Sequence, residues 1–224
     1  MNRNDMLRKA GLTLPFLGAV LVAYTTAQPV PADSAQIGAQ IVAQGTARGA
    51  VACSRCHGFD GAADGSGAFP KLAGQSPEYL EKQMRVYASG ERKNALMEPI
   101  AKRLSESEIQ AVAQYYASLR ANSFAAKPQT SELIARGEQI AKVGDLSLRV
   151  QACESCHGPN GFGEPPAVPY LAGQYRQYTS LQIQMYRRGY RKSDQMKDPA
   201  QNLRDEDVAA VAAYFEQVSR PASK

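Results

Sequence analysis

The stretch Cys53-Ser54-Arg55-Cys56-His57-Gly58 decides the organisation of this chain, because it returns as Cys153-Glu154-Ser155-Cys156-His157-Gly158. Working outward, Leu72-Ala73-Gly74-Gln75 returns as Leu171-Ala172-Gly173-Gln174. From there the halves align without a gap at an offset of 99: Tyr79 with Tyr178, Tyr87 with Tyr186, Gly90 with Gly189, Arg92-Lys93 with Arg191-Lys192, Met97 with Met196 and Leu104 with Leu203. Two copies of one module are the simplest account.

Each module closes on an apolar helical face. Ile109, Val112, Ala113, Tyr116 and Leu119 recur at spacings of three and four, as do Val208, Val211, Ala212, Phe215 and Val218. Ser105 and Glu108 form a capping-box signature before the first of these helices. Asp205, Glu206 and Asp207 place acids in the first turn of the second, where the helix dipole favours them. Shorter helical patterns open the modules, around Ile37 to Arg48 and Leu133 to Lys142. Aligning Val42-Ala43-Gln44-Gly45 with Ile134-Ala135-Arg136-Gly137 puts an insertion near Gly144 to Gln151, expected as a loop. A glycine inside a helix costs stability unless it lets another helix approach. No alternating strand pattern is present. The expected fold is all-α: an N-terminal domain over residues 28–120, a linker over 121–131 containing Pro128, and a C-terminal domain over 132–224. Modules of this size bury little core unaided, a shortfall that a prosthetic group inside each would ease.

The whole chain has four cysteines and two histidines, and all six lie in the two motifs. C-x-x-C-H is the attachment signature of haem c. Two cysteines three apart on a helical turn share a face, so both sulfurs reach the vinyl groups of one porphyrin, and the histidine stands over the iron. Structural zinc would need four ligands gathered together. A thioredoxin-like motif would need a sheet around it. Two disulfides would account for Cys53, Cys56, Cys153 and Cys156 but not for His57 and His157.

With both histidines committed, a sixth iron ligand is methionine, another residue or nothing. Met84 faces Ile183 and Met185 faces Val86 in the alignment, as ordinary apolar positions do. Met97 and Met196 occupy equivalent places, 40 and 39 residues after their histidines. Pro70 and Pro169 follow the histidines by 13 and 12 residues. A carbonyl there could accept the remaining imidazole N–H, or the prolines simply shape a loop. Arg92 and Arg191, with Lys93 and Lys192, either form a solvated face or offer guanidinium to haem propionates. Arg187 and Arg188 replace Ala88 and Ser89 and are expected as surface or docking charges. Asp60-Gly61 and Asp64-Gly65 are turn chemistry rather than a calcium loop.

Arg3, Arg8 and Lys9, an apolar stretch from about Ala10 to Tyr24 and then Thr25-Thr26-Ala27 have the order of a secretory signal over residues 1–27. The stretch contains Pro15 and is shorter than a membrane helix usually needs, although an uncleaved anchor is the alternative. Cleavage is expected after Ala27 or Ala32. It lowers the formal charge from +5 to +3. Four propionates would offset that, so no nucleic-acid or polyanionic partner is implied.

The paired C-x-x-C-H-G motifs, the P-x-L-A-G-Q stretches and the late methionines resemble the dihaem cytochromes c of the c4 type, from about Gln36 to Ser219. The resemblance implies two tandem class I cytochrome c domains with two haem c groups facing each other. It also implies His57/Met97 and His157/Met196 ligation, with the Pro70 and Pro169 carbonyls supporting the histidines. Six-coordinate irons favour electron transfer over ligand activation. The expected role is a monomeric periplasmic carrier of single electrons, not an enzyme. Its expected partners are a respiratory donor such as a quinol-oxidising complex and a terminal oxidase or reductase, and peripheral membrane contact is compatible with this. The rival roles are the haem c subunit of a periplasmic dehydrogenase complex and a dihaem peroxidase or gas sensor, which would need an open iron.

Overall fold

The computed structural model describes residues 32–120, 126 and 128–219. The expected leader over 1–27 and part of the expected linker lie outside the described residues. In the first half, α1 (Ala32–Gln44) leads to the motif turn α2 (Ser54–His57), then α3 (Pro77–Ala88), α4 (Met97–Ala101) and α5 (Glu106–Ser118). The second half runs α6 (Ser131–Lys142), β1 (Gly144–Asp145), β2 (Val150–Gln151), α7 (Glu154–His157), α8 (Arg176–Arg187), α9 (Asp194–Asn202) and α10 (Asp205–Gln217).

The helix ends follow local chemistry. Ser105 Oγ accepts from Glu108 N at 3.3 Å while Glu108 Oε2 accepts from Ser105 N at 2.6 Å, closing the capping box of α5. Ser76 caps α3 by accepting from Tyr79 N, with Pro77 in the first turn. No side chain caps α10, whose first turn carries three acids instead. The opening helix begins earlier than Ile37 and stops before Arg48, because Gly45 turns to a φ of +80° and its N–H closes on Ile41 O at 2.8 Å.

The apolar faces meet as their periodicity requires. Ile109, Val112 and Tyr116 on α5 pack with Ile41 and Val42 on α1. Val208 and Val211 on α10 pack with Ile140 on α6. A Cβ at Gly38 would stand 2.2 Å from Ala111 O, and one at Gly137 would stand 2.1 Å from Ala210 O. At these two crossings one helix lies directly on the backbone of the next, which only glycine allows.

These contacts correct the register read from the sequence. Gly137 is the counterpart of Gly38, not of Gly45, and Gly45 corresponds to Gly144; both turn to positive φ against the segment entering the motif. What reads as an eight-residue insertion is therefore one additional residue between Gly144 and Cys153. The similarity of two four-residue runs outweighed the helix crossing, which leaves only a lone glycine as its signal. The segment is also not a plain loop: Gly144 pairs with Gln151 and Asp145 with Val150 in a short antiparallel ladder. Two residues per strand are too few to show alternation.

Candidate functional site

His57 and His157 close the motif turns and are 7% and 8% exposed. Each ring is braced from a distance in sequence: His57 Nδ1 donates to Pro70 O at 3.2 Å and His157 Nδ1 to Pro169 O at 2.9 Å. The prolines are delivered by a loop pinned to the motif. Leu72 N donates to Gly61 O at 2.7 Å and Leu171 N to Gly161 O at 2.8 Å. The loop is also pinned to the closing helices, through Gly74 N to Tyr116 O and Gly173 N to Phe215 O. Burial pushes both imidazoles below the ordinary histidine range despite the carbonyl contacts, and Arg191 adds to the effect at His157. Nδ1 of each ring is occupied, and Nε2 has no hydrogen-bond partner among the described residues.

No disulfide joins Cys53, Cys56, Cys153 or Cys156, so the rival reading of two disulfides is not realised. Among the described residues no group of three or more His, Cys, Asp or Glu side chains is assembled to hold a metal, as a zinc site would need. Met97 and Met196 are half-buried and lie in the first turns of α4 and α9. Each has its backbone N–H captured by a capping side chain, Asn94 Oδ1 at 2.8 Å and Ser193 Oγ at 3.3 Å. Met84 packs against the first core cluster instead. The donor set fits a haem c in each half: two thiols on one turn, a braced imidazole and a helix-held thioether.

Arg92 and Arg191 do not form the solvated face that was one expectation. They are 5% and 7% exposed and lie where the halves meet. Arg92 donates to Tyr178 OH at 2.9 Å, to Gln182 Oε1 at 2.5 Å and to Gln83 Oε1 at 2.8 Å. Arg191 mirrors it with Tyr79 OH at 2.5 Å, Gln83 Oε1 at 3.1 Å and Gln182 Oε1 at 3.1 Å. Each guanidinium also stacks over a tyrosine of its own half, Tyr87 and Tyr186. Neither makes an ion pair among the described residues. Burial would raise the Tyr178 phenol, but Arg92 and Arg191 outweigh it and hold it below the ordinary range.

Sequence reasoning missed the role of the repeated glutamines. Gln75 takes Tyr170 by its backbone, accepting N–H at 3.1 Å and donating to C=O at 3.2 Å. Gln174 takes Lys71 in the same way, at 3.0 Å and 3.0 Å. Their occurrence in both halves was the available signal, but the partners are backbone groups of the opposite half. Arg187 is also corrected, because it is not a free docking charge. It donates to Ala200 O at 2.8 Å and Leu203 O at 2.5 Å at the end of α9, and to Asp205 Oδ1 at 2.6 Å.

Two helical modules, each with a C-x-x-C-H turn and a carbonyl-braced histidine, define a dihaem c-type cytochrome. The cytochrome c family profile matches residues 134–219, and that of cytochrome c oxidase, cbb3-type, subunit III matches residues 39–115. The thiosulfate dehydrogenase electron acceptor of Stutzerimonas stutzeri is 38% identical over 82% of this chain and 87% of its own. The crystal structure of reduced cytochrome c4 from Pseudomonas stutzeri superposes with a TM-score of 0.72 at 31% identity, over 83% of this chain and 98% of that one. A thiosulfate dehydrogenase structure from Marichromatium purpuratum superposes with a TM-score of 0.77 at 36% identity over 83% of this chain, which spans only 40% of that longer chain. The chain belongs to the cytochrome c4 family. It carries two covalently bound haem c groups and is an electron carrier rather than an enzyme.

Proposed function

We propose that the protein carries single electrons in the periplasm, taking them from a dehydrogenase or quinol-oxidising donor and passing them to a terminal oxidase or reductase. The observation that carries this reading is the carbonyl-braced, buried histidine in both halves; a methionine at the equivalent place of each half supports it. In this reading Cys53 and Cys56 hold one haem, and Cys153 and Cys156 the other. His57 and Met97 face one iron, and His157 and Met196 face the other. The haem supplies a one-electron redox centre; the chain contributes orientation of the imidazoles through Pro70 and Pro169, and burial. Two cations buried among neutral partners are costly, so Arg92 and Arg191 are the groups suited to the propionates. The domains are placed at 28–120 and 132–224, joined by the segment 121–131. In this reading residues 1–27 are the export signal, on the basic start at Arg3, Arg8 and Lys9 and the short apolar stretch that follows it.

Similarity to thiosulfate dehydrogenase electron acceptors favours a thiosulfate-oxidising dehydrogenase as the donor. Stopped-flow mixing of the oxidised mature protein with such a dehydrogenase and thiosulfate, and separately with a quinol-oxidising complex, tests this. Rapid reduction of both haems by the dehydrogenase is expected. Reduction only by the quinol-oxidising complex would remove the dehydrogenase as donor, and carbon monoxide binding at both irons of the native protein would overturn the carrier reading.

A further inference from the structure

The glutamine contacts and the histidine contacts share peptide units. Pro70 O, which accepts from His57, and Lys71 N, which donates to Gln174 Oε1, are the two ends of one amide group. In the mirror position, Pro169 O accepts from His157 while Tyr170 N donates to Gln75 Oε1. Each histidine is thus separated by a single peptide from a side chain of the opposite half. Both glutamines are buried, at 8% and 9% exposure. Their amides are also fixed in orientation: each Oε1 accepts a second N–H, from Ser76 or Tyr175, and each Nε2 donates to the gripped carbonyl.

We propose that these glutamines are crossed positioning residues, Gln174 acting on His57 of the first half and Gln75 on His157 of the second. Withdrawing electron density from a peptide N–H weakens its carbonyl as an acceptor, whereas an acceptor bonded to that N–H polarises the amide and strengthens the carbonyl. A stronger acceptor on Nδ1–H makes the imidazole a better donor to iron and favours the oxidised metal. Gln174 therefore sets the basicity of His57, and Gln75 that of His157. The inference rests on the reading that the two histidines bind iron.

The test uses the mature dihaem protein with Gln174→Leu and Gln75→Leu, followed by redox titration and by proton NMR of the histidine ring N–H groups in the reduced state. Gln174→Leu is expected to shift the reduction equilibrium of the His57 haem roughly threefold towards the reduced form, ~30 mV at ~59 mV per tenfold. It is also expected to move the His57 Nδ1–H resonance while leaving the His157 resonance in place. Gln75→Leu should give the mirror result. Gln174→Glu keeps an acceptor for Lys71 N–H, and should lower the potential of the first haem rather than raise it; it decides the matter if the leucine variant fails to fold. Shifts confined to the haem in the glutamine's own half, equal shifts at both, or none would overturn the proposal. Ring resonances at ordinary, unshifted positions in the unsubstituted protein would instead overturn the ligand reading, before any variant is compared.

Discussion

Arg191 leaves the second half of the chain to donate to the hydroxyl of Tyr79 in the first, at 2.5 Å, and Arg92 makes the reverse crossing to Tyr178 at 2.9 Å. Each guanidinium belongs to one half by sequence and to both by contact, so its charge is expected to act on both haems. Replacing Arg92 or Arg191 with Gln removes a positive charge that disfavours the oxidised metal. Both midpoint potentials should fall, by on the order of tens of millivolts. A redox titration showing one potential moved and the other untouched would contradict this.

The methionines separate a carrier from an open-iron protein. Met97→Ala or Met196→Ala should remove the far-red thioether band of one haem, lower its potential and open it to carbon monoxide. Met84→Leu, a nearly volume-conserving change in the core, should do none of this and cost under ~1.5 kcal/mol. Absorption spectra with and without carbon monoxide decide between the assignments.

The helix crossings leave no room for a methyl group. Gly38→Ala and Gly137→Ala each place a Cβ against a carbonyl oxygen, so the helices must separate. A loss of about 1–3 kcal/mol is expected for each, the range for overpacking a closed contact. Gly65→Ala meets no atom within 4 Å, so any cost there reports strain at positive φ without a clash and contrasts with the two crossings, where the clash acts alone. Chemical denaturation of the three variants gives the comparison.

The hairpin is tied to α6 and α10 by Arg136, which donates to Asp145 at 2.7 Å and to the fully buried Asp207 at 2.8 Å. The Ser147 hydroxyl and Arg136 hold the Asp145 carboxyl down at about 2. A carboxyl held lower when folded than when unfolded contributes stability that is complete above its unfolded value, near pH ~4, and is lost as the pH falls towards 2. Asp207 is also held low: burial raises it, but Arg204 and Arg136 outweigh that. Asp145→Asn should therefore flatten the acid limb of the stability curve while leaving its neutral region less stable. Thermal melts between pH 2 and 7 provide the check.

Much of this was legible because the chemistry is repeated. The motifs, the prolines at 13 and 12 residues and the methionines at 40 and 39 stand out once the halves are superimposed, and the apolar spacing of α5 and α10 marks the helices that bury it. The structure brings His57 to Pro70 and His157 to Pro169, one of the two readings that spacing left open. The failures share a cause: each depends on a partner remote in sequence. Gly38 carries no mark distinguishing it from Gly45 until Ala111 lies against it. Arg187 is indistinguishable from a surface charge until the end of α9 comes within reach. Gln75 and Gln174 belong to the fourth position of a repeated tetrad, yet bind backbone groups that carry no side-chain signature at all.

Identical motifs do not make identical ends. Beyond Met196, Arg187 fastens Ala200 and Leu203; beyond Met97, the position of Arg187 is Ala88, and the matching carbonyl of Ala101 is closed by Leu104 N at 3.1 Å in a tight backbone turn. The helix of Met196 is latched by a side chain from α8, whereas the side chains that hold the backbone of the Met97 helix, Asn94 and Arg103, come from the residues flanking it. The duplicated methionines thus sit on helices with different tethers, and on warming Met97 should loosen before Met196. The molecule has a weak end and a strong end, a polarity invisible in its repeated motifs.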